Sequence, residues 1–345
     1  MNATPQDTQT EAEPTSAVPR RRSGLAGQVL GEAGIGVALL VLVAVFLVFA
    51  PQFGTGQNIR NIMTQITLNT ILAVGMTFVV LVGGIDLSVG SVLALCAVVS
   101  GSVMTWDGVS GSTGLLLGLL AAVVVGALCG LVNGAVTERW KVPAFIVTLG
   151  MLYVARGAAQ EYTGAQTIYN LPKGLTLFGT ATFLGLPAVF VVALVLVAIG
   201  AFVLSRTVFG RLVYAVGTNE EAVRLAGHRT SWVKVSVFVI AGVCVGIAAV
   251  VYMARLNIAS PILGTGYELN AIAAVVIGGA SLTGGRGSMI GTFLGACLLG
   301  VLSNGLILLG VSDFQRTMIT GAVIMLAVVL DAYRRRFAIR LNALS

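Results

Sequence analysis

The chain has 345 residues, 57% of them hydrophobic and only 10% charged, with a formal net charge of +7. Water-soluble domains carry about a quarter of their residues as charges, so this composition excludes an ordinary soluble enzyme or binding module. The charge is also missing in blocks. Between Arg60 and Asp107 the only acidic or basic side chain is Asp86, and none lies between Arg286 and Asp313. Stretches of that kind belong in hydrocarbon.

Taken in chain order, residues 1–30 hold Pro5, Pro14 and Pro19 among polar residues and include the run Arg20, Arg21, Arg22. This reads as a disordered cytosolic tail. The apolar run Gly34 to Ala50 starts too far into the chain for a cleaved signal peptide and reads as an uncleaved first span. Further apolar segments, measured against the roughly 20 residues of a helical span, run approximately Ile62 to Val82, Leu87 to Met104, Gly114 to Val136, Pro143 to Ala155, Gly185 to Leu204, Trp232 to Met253, Leu269 to Leu282, Ser288 to Leu309 and Phe314 to Leu330. The expectation is an all-α integral membrane protein with about ten transmembrane helices. Its transmembrane domain spans 31–333 and a basic cytosolic tail occupies 334–345. Pro143 to Ala155 and Leu269 to Leu282 are short for simple spans. They are either broken or re-entrant helices beside a pathway, or helices whose ends lie a few residues further out.

Basic residues stay on the cytosolic side of a membrane. With the N-terminus inside, fifteen fall inside (Arg20, Arg21, Arg22, Arg139, Lys141, Arg206, Arg211, Arg224, Arg229, Lys234, Arg286, Arg334, Arg335, Arg336, Arg340) and five outside (Arg60, Arg156, Lys173, Arg255, Arg316). That split predicts both termini in the cytosol. It also accounts for the basic balance without nucleic acid. The cysteines Cys96, Cys129, Cys244 and Cys297 sit in apolar segments outside metal-ligand spacing, as small buried hydrophobes.

A weak internal repeat relates VVLVGGIDLSVGS, Val79 to Ser91, to AVVIGGASLTGGRGS, Ala274 to Ser288, each followed by a small-residue helix ending in Asn-Gly, at Asn133-Gly134 and Asn304-Gly305. Duplication is common in transporters, and chance similarity among glycine-rich membrane segments is the other reading. In the first segment Gly83 and Gly84 weaken the helix, and Asp86 and Ser88 are N-cap formers before apolar helix resumes, so the local physics is a break and restart. Asp86 is either a capping residue alone or, because a carboxylate near hydrocarbon is costly, a functional group.

These residues carry a resemblance. GGIDLSVGS resembles the signature of permease subunits of bacterial ABC importers for monosaccharides, the ribose, xylose, arabinose and galactose group. Val142 to Ala159, Gly264 to Ser288 and Gly310 to Asp331 resemble the same family in the same order. The resemblance marks Gly83, Gly84, Asp86, Ser88, Gly90, Ser91, Gly278, Gly279, Gly284 and Gly285 as signature positions. Asn270, where the family commonly has Asp, and Ala280, where it often has Thr or Ser, depart from it. The implied system comprises a permease homodimer in the inner membrane, a cytosolic ATP-binding subunit with tandem or paired nucleotide-binding domains, and an extracytoplasmic sugar-binding protein, with no cofactor. Two rivals remain: a gradient-driven secondary transporter, with Asp86 carrying a coupling proton, and a receptor or scaffold.

In the second span Gln65, Asn69 and Thr70 are too polar for a lipid-facing helix and either glue helices together or line a wet route. With Tyr267, Glu268 and Asn270 they are the candidate translocation path. The basic loop Ser205 to Ser231 contains a matched short helix. Thr218 or Asn219 offers an N-cap, Glu220 and Glu221 fill the first turn, Arg224 sits late and Gly227 ends it. Ala222, Val223, Leu225 and Ala226 give it an apolar face. NEEAVRLAG looks like the coupling segment of ABC permeases that docks on the ATP-binding subunit, which marks Asn219, Glu220, Glu221, Ala222, Arg224, Ala226 and Gly227; a solvated connector is the alternative. No phosphate-binding Gly-Lys-Ser or Gly-Lys-Thr occurs, and His228 is the only histidine, so neither an ATPase nor a catalytic triad is expected in this chain.

Overall fold

The computed structural model describes residues 23–108, 111–326 and 329, with side chains from Ala33 onward. Its elements are α1 (Ser23–Phe49), α2 (Gly56–Leu81), α3 (Val89–Met104), α4 (Gly111–Trp140), α5 (Ala144–Thr163), α6 (Lys173–Thr180), the two-residue strands β1 (Thr182–Phe183) and β2 (Leu186–Pro187), α7 (Ala188–Arg206), α8 (Val208–Leu225), α9 (Thr230–Leu256), α10 (Tyr267–Ile277) and α11 (Met289–Leu308). Residues 313–326 are also helical. Of these, α2, α4, α7, α9 and α11 are long and apolar enough to cross a membrane, and Ala33–Phe49, α3 and α10 are shorter apolar helices. The expected tail at 1–30 lies mostly outside the described residues, although α1 already begins at Ser23. The tail at 334–345 lies wholly outside them.

The helix boundaries follow local chemistry. Thr55 caps α2 by accepting from the Asn58 amide at 3.3 Å, and prolines 143, 172 and 187 stand immediately before α5, α6 and α7, where a missing N–H costs nothing. One open reading is decided for the longer helix, and one expectation needs correction. The segment placed at Pro143 to Ala155 is a 20-residue helix reaching Thr163. Its apolar run stops at Arg156, but that guanidinium donates to the carbonyls of Pro261 and Leu263, both at 2.7 Å, so the helix continues through the charge. The stretch 205–231 is no open loop before its short helix: residues 208–218 form a helical arm capped by Thr207, with Val213 and Val216 buried. Leu269 to Leu282, by contrast, contains only the 11-residue α10.

The most extensive helix contact joins α4 to α9. Small residues recur every fourth position along α4, at Gly118, Ala122, Gly126, Gly130 and Gly134. A Cβ on Gly134 would come 2.8 Å from the Val235 Cα, and one on Gly246 of α9 would meet the Ala122 backbone. In lipid there is no water to drive apolar helices together, so close backbone approach of this kind is what holds them. At the centre, α2 is buried from Ile66 to Leu81 except at Asn69. The periphery is apolar: Leu40, Val48, Leu116 and Phe202 are each more than half exposed, as a lipid-facing surface requires.

Candidate functional site

Three features stand out: a break between α2 and α3, a charged arm on α8, and a cavity with polar lining. At the break, α2 ends when the Gly83 amide bonds the Val80 carbonyl and the Gly84 amide bonds the Val79 carbonyl, both at 2.9 Å. Gly83 takes φ +80°, the left-handed residue of a Schellman stop. The chain then turns at Asp86. Its Oδ1 accepts from the Ser88 amide at 2.8 Å and from the Ser88 hydroxyl at 2.6 Å, and Ser88 Oγ in turn accepts from Asn133 Nδ2 of α4 at 3.0 Å. Ser88 is therefore the N-cap residue of α3 by position, but its side chain makes no cap bond. From α5, Thr148 Oγ1 donates to the Ile85 carbonyl and accepts from the Leu87 amide, each at 3.1 Å. Asp86 and Ser88 are both buried.

The second glycine segment stops α10 in the same way, with the Gly279 amide on Val276 and the Ala280 amide on Val275. Gly279, Gly284, Gly285 and Gly287 then all have positive φ. This loop meets the first break: the Gly285 amide donates to the Leu81 carbonyl at 2.8 Å. It also touches α8. The Tyr214 hydroxyl donates to the Gly287 carbonyl at 2.9 Å, and a Cβ on Gly285 would come 3.0 Å from the backbone of Thr218. The remaining signature positions fall nearby: Gly90 and Ser91 lie in the first turn of α3, with Gly90 against the Gly264 backbone, and Gly278 packs on Gly291 of α11.

On α8 the helix breaks at Asn219 (φ −158°, ψ 93°), whose Oδ1 caps a second arm by accepting from the Ala222 amide at 3.0 Å. The arm closes with the Gly227 amide on Arg224 at 3.0 Å and the His228 amide on Val223 at 3.2 Å, Gly227 standing at φ +84°. Val223 is buried and roots the arm, while Ala222, Ala226 and Leu225, the last 79% exposed, face outward. Arg224 bonds Glu221 at 2.7 Å, and that carboxylate holds the guanidinium above its ordinary pKa. Glu220 is tied inward: it pairs with Lys234 of α9 at 2.5 Å, and Lys234 also lies 3.2 Å from Glu138 at the end of α4, which Lys141 contacts at 2.8 Å. A cavity of about 270 Å³ separates this charge cluster from Gly83 and Gly84.

The larger cavity, about 880 Å³, lies between α2, α9, α10, α11 and residues 313–326. Of the expected path residues, Gln65, Asn69, Tyr267 and Asn270 line it. Thr70 and Glu268 are not on its wall: Thr70 is buried among helices, and Glu268 accepts from the Gly266 amide at 3.1 Å and lies over Gly90. The polar residues of the second span divide between contacts with α11 and the cavity wall. Asn58, Gln65 and Thr77 bond Asn304, Ser303 and Thr292 of α11, at 2.9, 3.2 and 2.9 Å, while Asn69 faces the cavity.

Residues 58–328 match the family described as branched-chain amino acid transport system, permease component. Among relatives, identity is 42% to the ribose import permease protein of Escherichia coli strain K12, over 86% of this chain and 92% of that one. It is 35% to the L-arabinose ABC transporter permease protein of Azospirillum brasilense, over 97% and 98%, and 34% to the D-allose transport system permease protein of Escherichia coli strain K12, over 85% and 89%. The chain belongs to this family of ABC-importer permeases. No solved structure matches it. It is thus a multi-pass membrane permease subunit, a transport component and not an enzyme.

Sequence reasoning missed several residues of this permease. Arg255 and Arg316 line the cavity but read in sequence as outer-loop charges, and Tyr252 and Ser303 read as ordinary span residues. Thr148 lies in a segment quoted for resemblance, yet nothing in its one-dimensional context pointed at the break it clamps.

Proposed function

We propose that this permease moves a monosaccharide of the pentose or hexose type across the bacterial inner membrane. An extracytoplasmic binding protein delivers the sugar, a homodimer of this chain forms the path, and a cytosolic ATP-binding subunit drives transport. The coupling contact is the arm 219–227, whose outward Ala222, Leu225 and Ala226 suit a groove on that subunit, while Val223 and the Glu220–Lys234 pair root it in the permease. Motion of the arm would reach the membrane through Thr218 and the 284–287 loop, which rests on the last carbonyl of α2.

The observation that carries the substrate class is the wall of the larger cavity, where the amides of Asn61, Gln65, Asn69 and Asn270, hydroxyls and the phenols of Tyr252 and Tyr267 stand among aliphatic side chains and two arginines. Among the described lining residues there is no Asp or Glu. The amides, hydroxyls and phenols present match sugar hydroxyls as both donors and acceptors, and among the described lining residues no carboxylate is there to pair with the ammonium group of an amino acid. The relatives named for ribose, arabinose and allose agree with that chemistry. About ten spans, both termini in the cytosol, a transmembrane domain at 31–333 and descent of the two glycine segments from one repeat complete the reading.

The test is uptake of labelled ribose, arabinose and allose into liposomes holding the permease with its two partners. ATP-dependent uptake of at least one sugar, abolished by omitting the ATP-binding subunit, is expected. Uptake that persists without that subunit and collapses with a proton or sodium gradient would instead establish a secondary transporter.

A further inference from the structure

The cavity wall carries charge of one sign. Its ionic side chains among the described residues are Arg255 of α9 and Arg316. Arg316 is neutralised locally, since its guanidinium lies 2.7 Å from the Asp313 carboxylate. Arg255 forms no ion pair with a described carboxylate, and its electrostatic neighbours are the phenols of Tyr252 and Tyr267, which also line the cavity. Glu268, the acid at the start of α10, is turned to the Gly266 amide and Gly90, and its electrostatic neighbour is Arg156, not Arg255. A half-buried guanidinium with no counter-ion, inside a membrane protein, needs electron-rich oxygen from backbone carbonyls, water or a ligand, and Arg255 has no carbonyl partner among the described residues of the kind that holds Arg156.

We propose that Arg255 gives the cavity a net positive potential and sets its charge selectivity. Neutral polyols and oxygen anions such as aldonates are admitted, and cations such as protonated amino sugars are rejected. Arg255 and the two phenols form one patch where guanidinium N–H groups meet solute oxygens, the phenols acting as neutral donors or acceptors. The idea deepens the import reading, because it places selectivity on the permease wall as well as on the binding protein. The electrostatic claim itself requires only that the cavity be wet.

The experiment places a reporter thiol in the cavity by Ser303→Cys and compares its reaction rates with an anionic and a cationic thiosulfonate of similar size. The full-length chain is used in liposomes with its ATP-binding partner, and the rate of the parent chain, whose cysteines are buried or half-buried, is subtracted. With Arg255 present the anionic-to-cationic rate ratio exceeds that of a small free thiol in solution, a reference that removes the thiolate's own preference for the cationic reagent. Arg255→Gln lowers the anionic-to-cationic ratio by about tenfold, as removal of one nearby unit charge requires in a partly screened cavity. Arg255→Lys keeps the ratio.

Asn270→Asp, which puts a carboxylate on the same wall one helical turn after Tyr267, lowers the ratio even if Arg255→Gln fails to fold. A ratio unchanged in folded Arg255→Gln overturns the proposal, as do a ratio unchanged in Asn270→Asp and failure of both reagents to reach the thiol. Labelling needs neither ATP nor sugar, so such a result leaves the import reading standing. Loss of ATP-driven uptake with the ratio intact would sink only the latter.

Discussion

Gly83–Ser91 and Gly278–Ser288 end α2 and α10 with the same pair of backbone bonds, and then part ways. After the first stop the chain is held by side chains of its own turn and of two helices: Asp86 folds onto Ser88, Asn133 reaches Ser88 from α4, and Thr148 brackets Ile85 and Leu87 from α5. After the second stop the path is set mainly by the backbone, with Gly284, Gly285 and Gly287 at positive φ and the Gly285 amide on the Leu81 carbonyl. A side-chain lock fixes one conformation strongly, whereas a glycine loop fits closely between neighbours that slide. The second loop is the one that touches both α8 and α2, where movement has to pass if the arm 219–227 drives the membrane helices as proposed.

This contrast is open to attack in order of expected effect. Asp86→Ala strips the acceptor from two buried donors and should destabilise the protein by about 3 kcal/mol, seen as a lower melting temperature in detergent. Asp86→Asn keeps one acceptor and should cost clearly less; equal losses would show that the charge, and not the turn, is what matters. Gly285→Ala forces a Cβ at φ +73° towards Thr218 and should cost about 2 kcal/mol. If the loop tolerates it without loss, the second stop is not set by its backbone.

Thr148→Val removes the bracket at Ile85 and Leu87 and should cost roughly 1–2 kcal/mol by the same melting assay. The smallest effect is expected for Asn219→Ala, which deletes a cap on an exposed arm for about 1 kcal/mol. Its signature is a fall in uptake per ATP hydrolysed at nearly unchanged melting temperature. An unaltered coupling ratio would count against the arm's proposed role.

Much of this could be read along the chain because it is local. Two glycines followed by Asp-x-Ser announce a helix stop and restart, and Thr218 or Asn219 with Gly227 announces both ends of the arm 219–227. The first arm of α8 escaped because it looked like a basic loop: Arg211 and the glycines Gly210 and Gly217 mask a helix whose Val213 and Val216 are buried only by tertiary packing. α5 ran past its apolar stretch because the partners of Arg156, Pro261 and Leu263, lie more than a hundred residues away. The cavity was the least legible part. One sequence gives spans without their rotation, so Asn69 and Thr70 looked equivalent although only Asn69 reaches the wall, and Arg255 counted as a loop charge although it lies in α9.

The central claim, that a partner ATPase acts on this chain through the arm 219–227, is tested most directly by Gly227→Pro. The substitution cannot adopt φ +84°, so the arm loses its closing turn. Sugar uptake and ATP hydrolysis are measured together in liposomes holding the permease, the ATP-binding subunit and the binding protein. The account predicts membrane-inserted protein with ATP hydrolysis continuing and uptake reduced to background. Uptake and hydrolysis both at the parent level would contradict it.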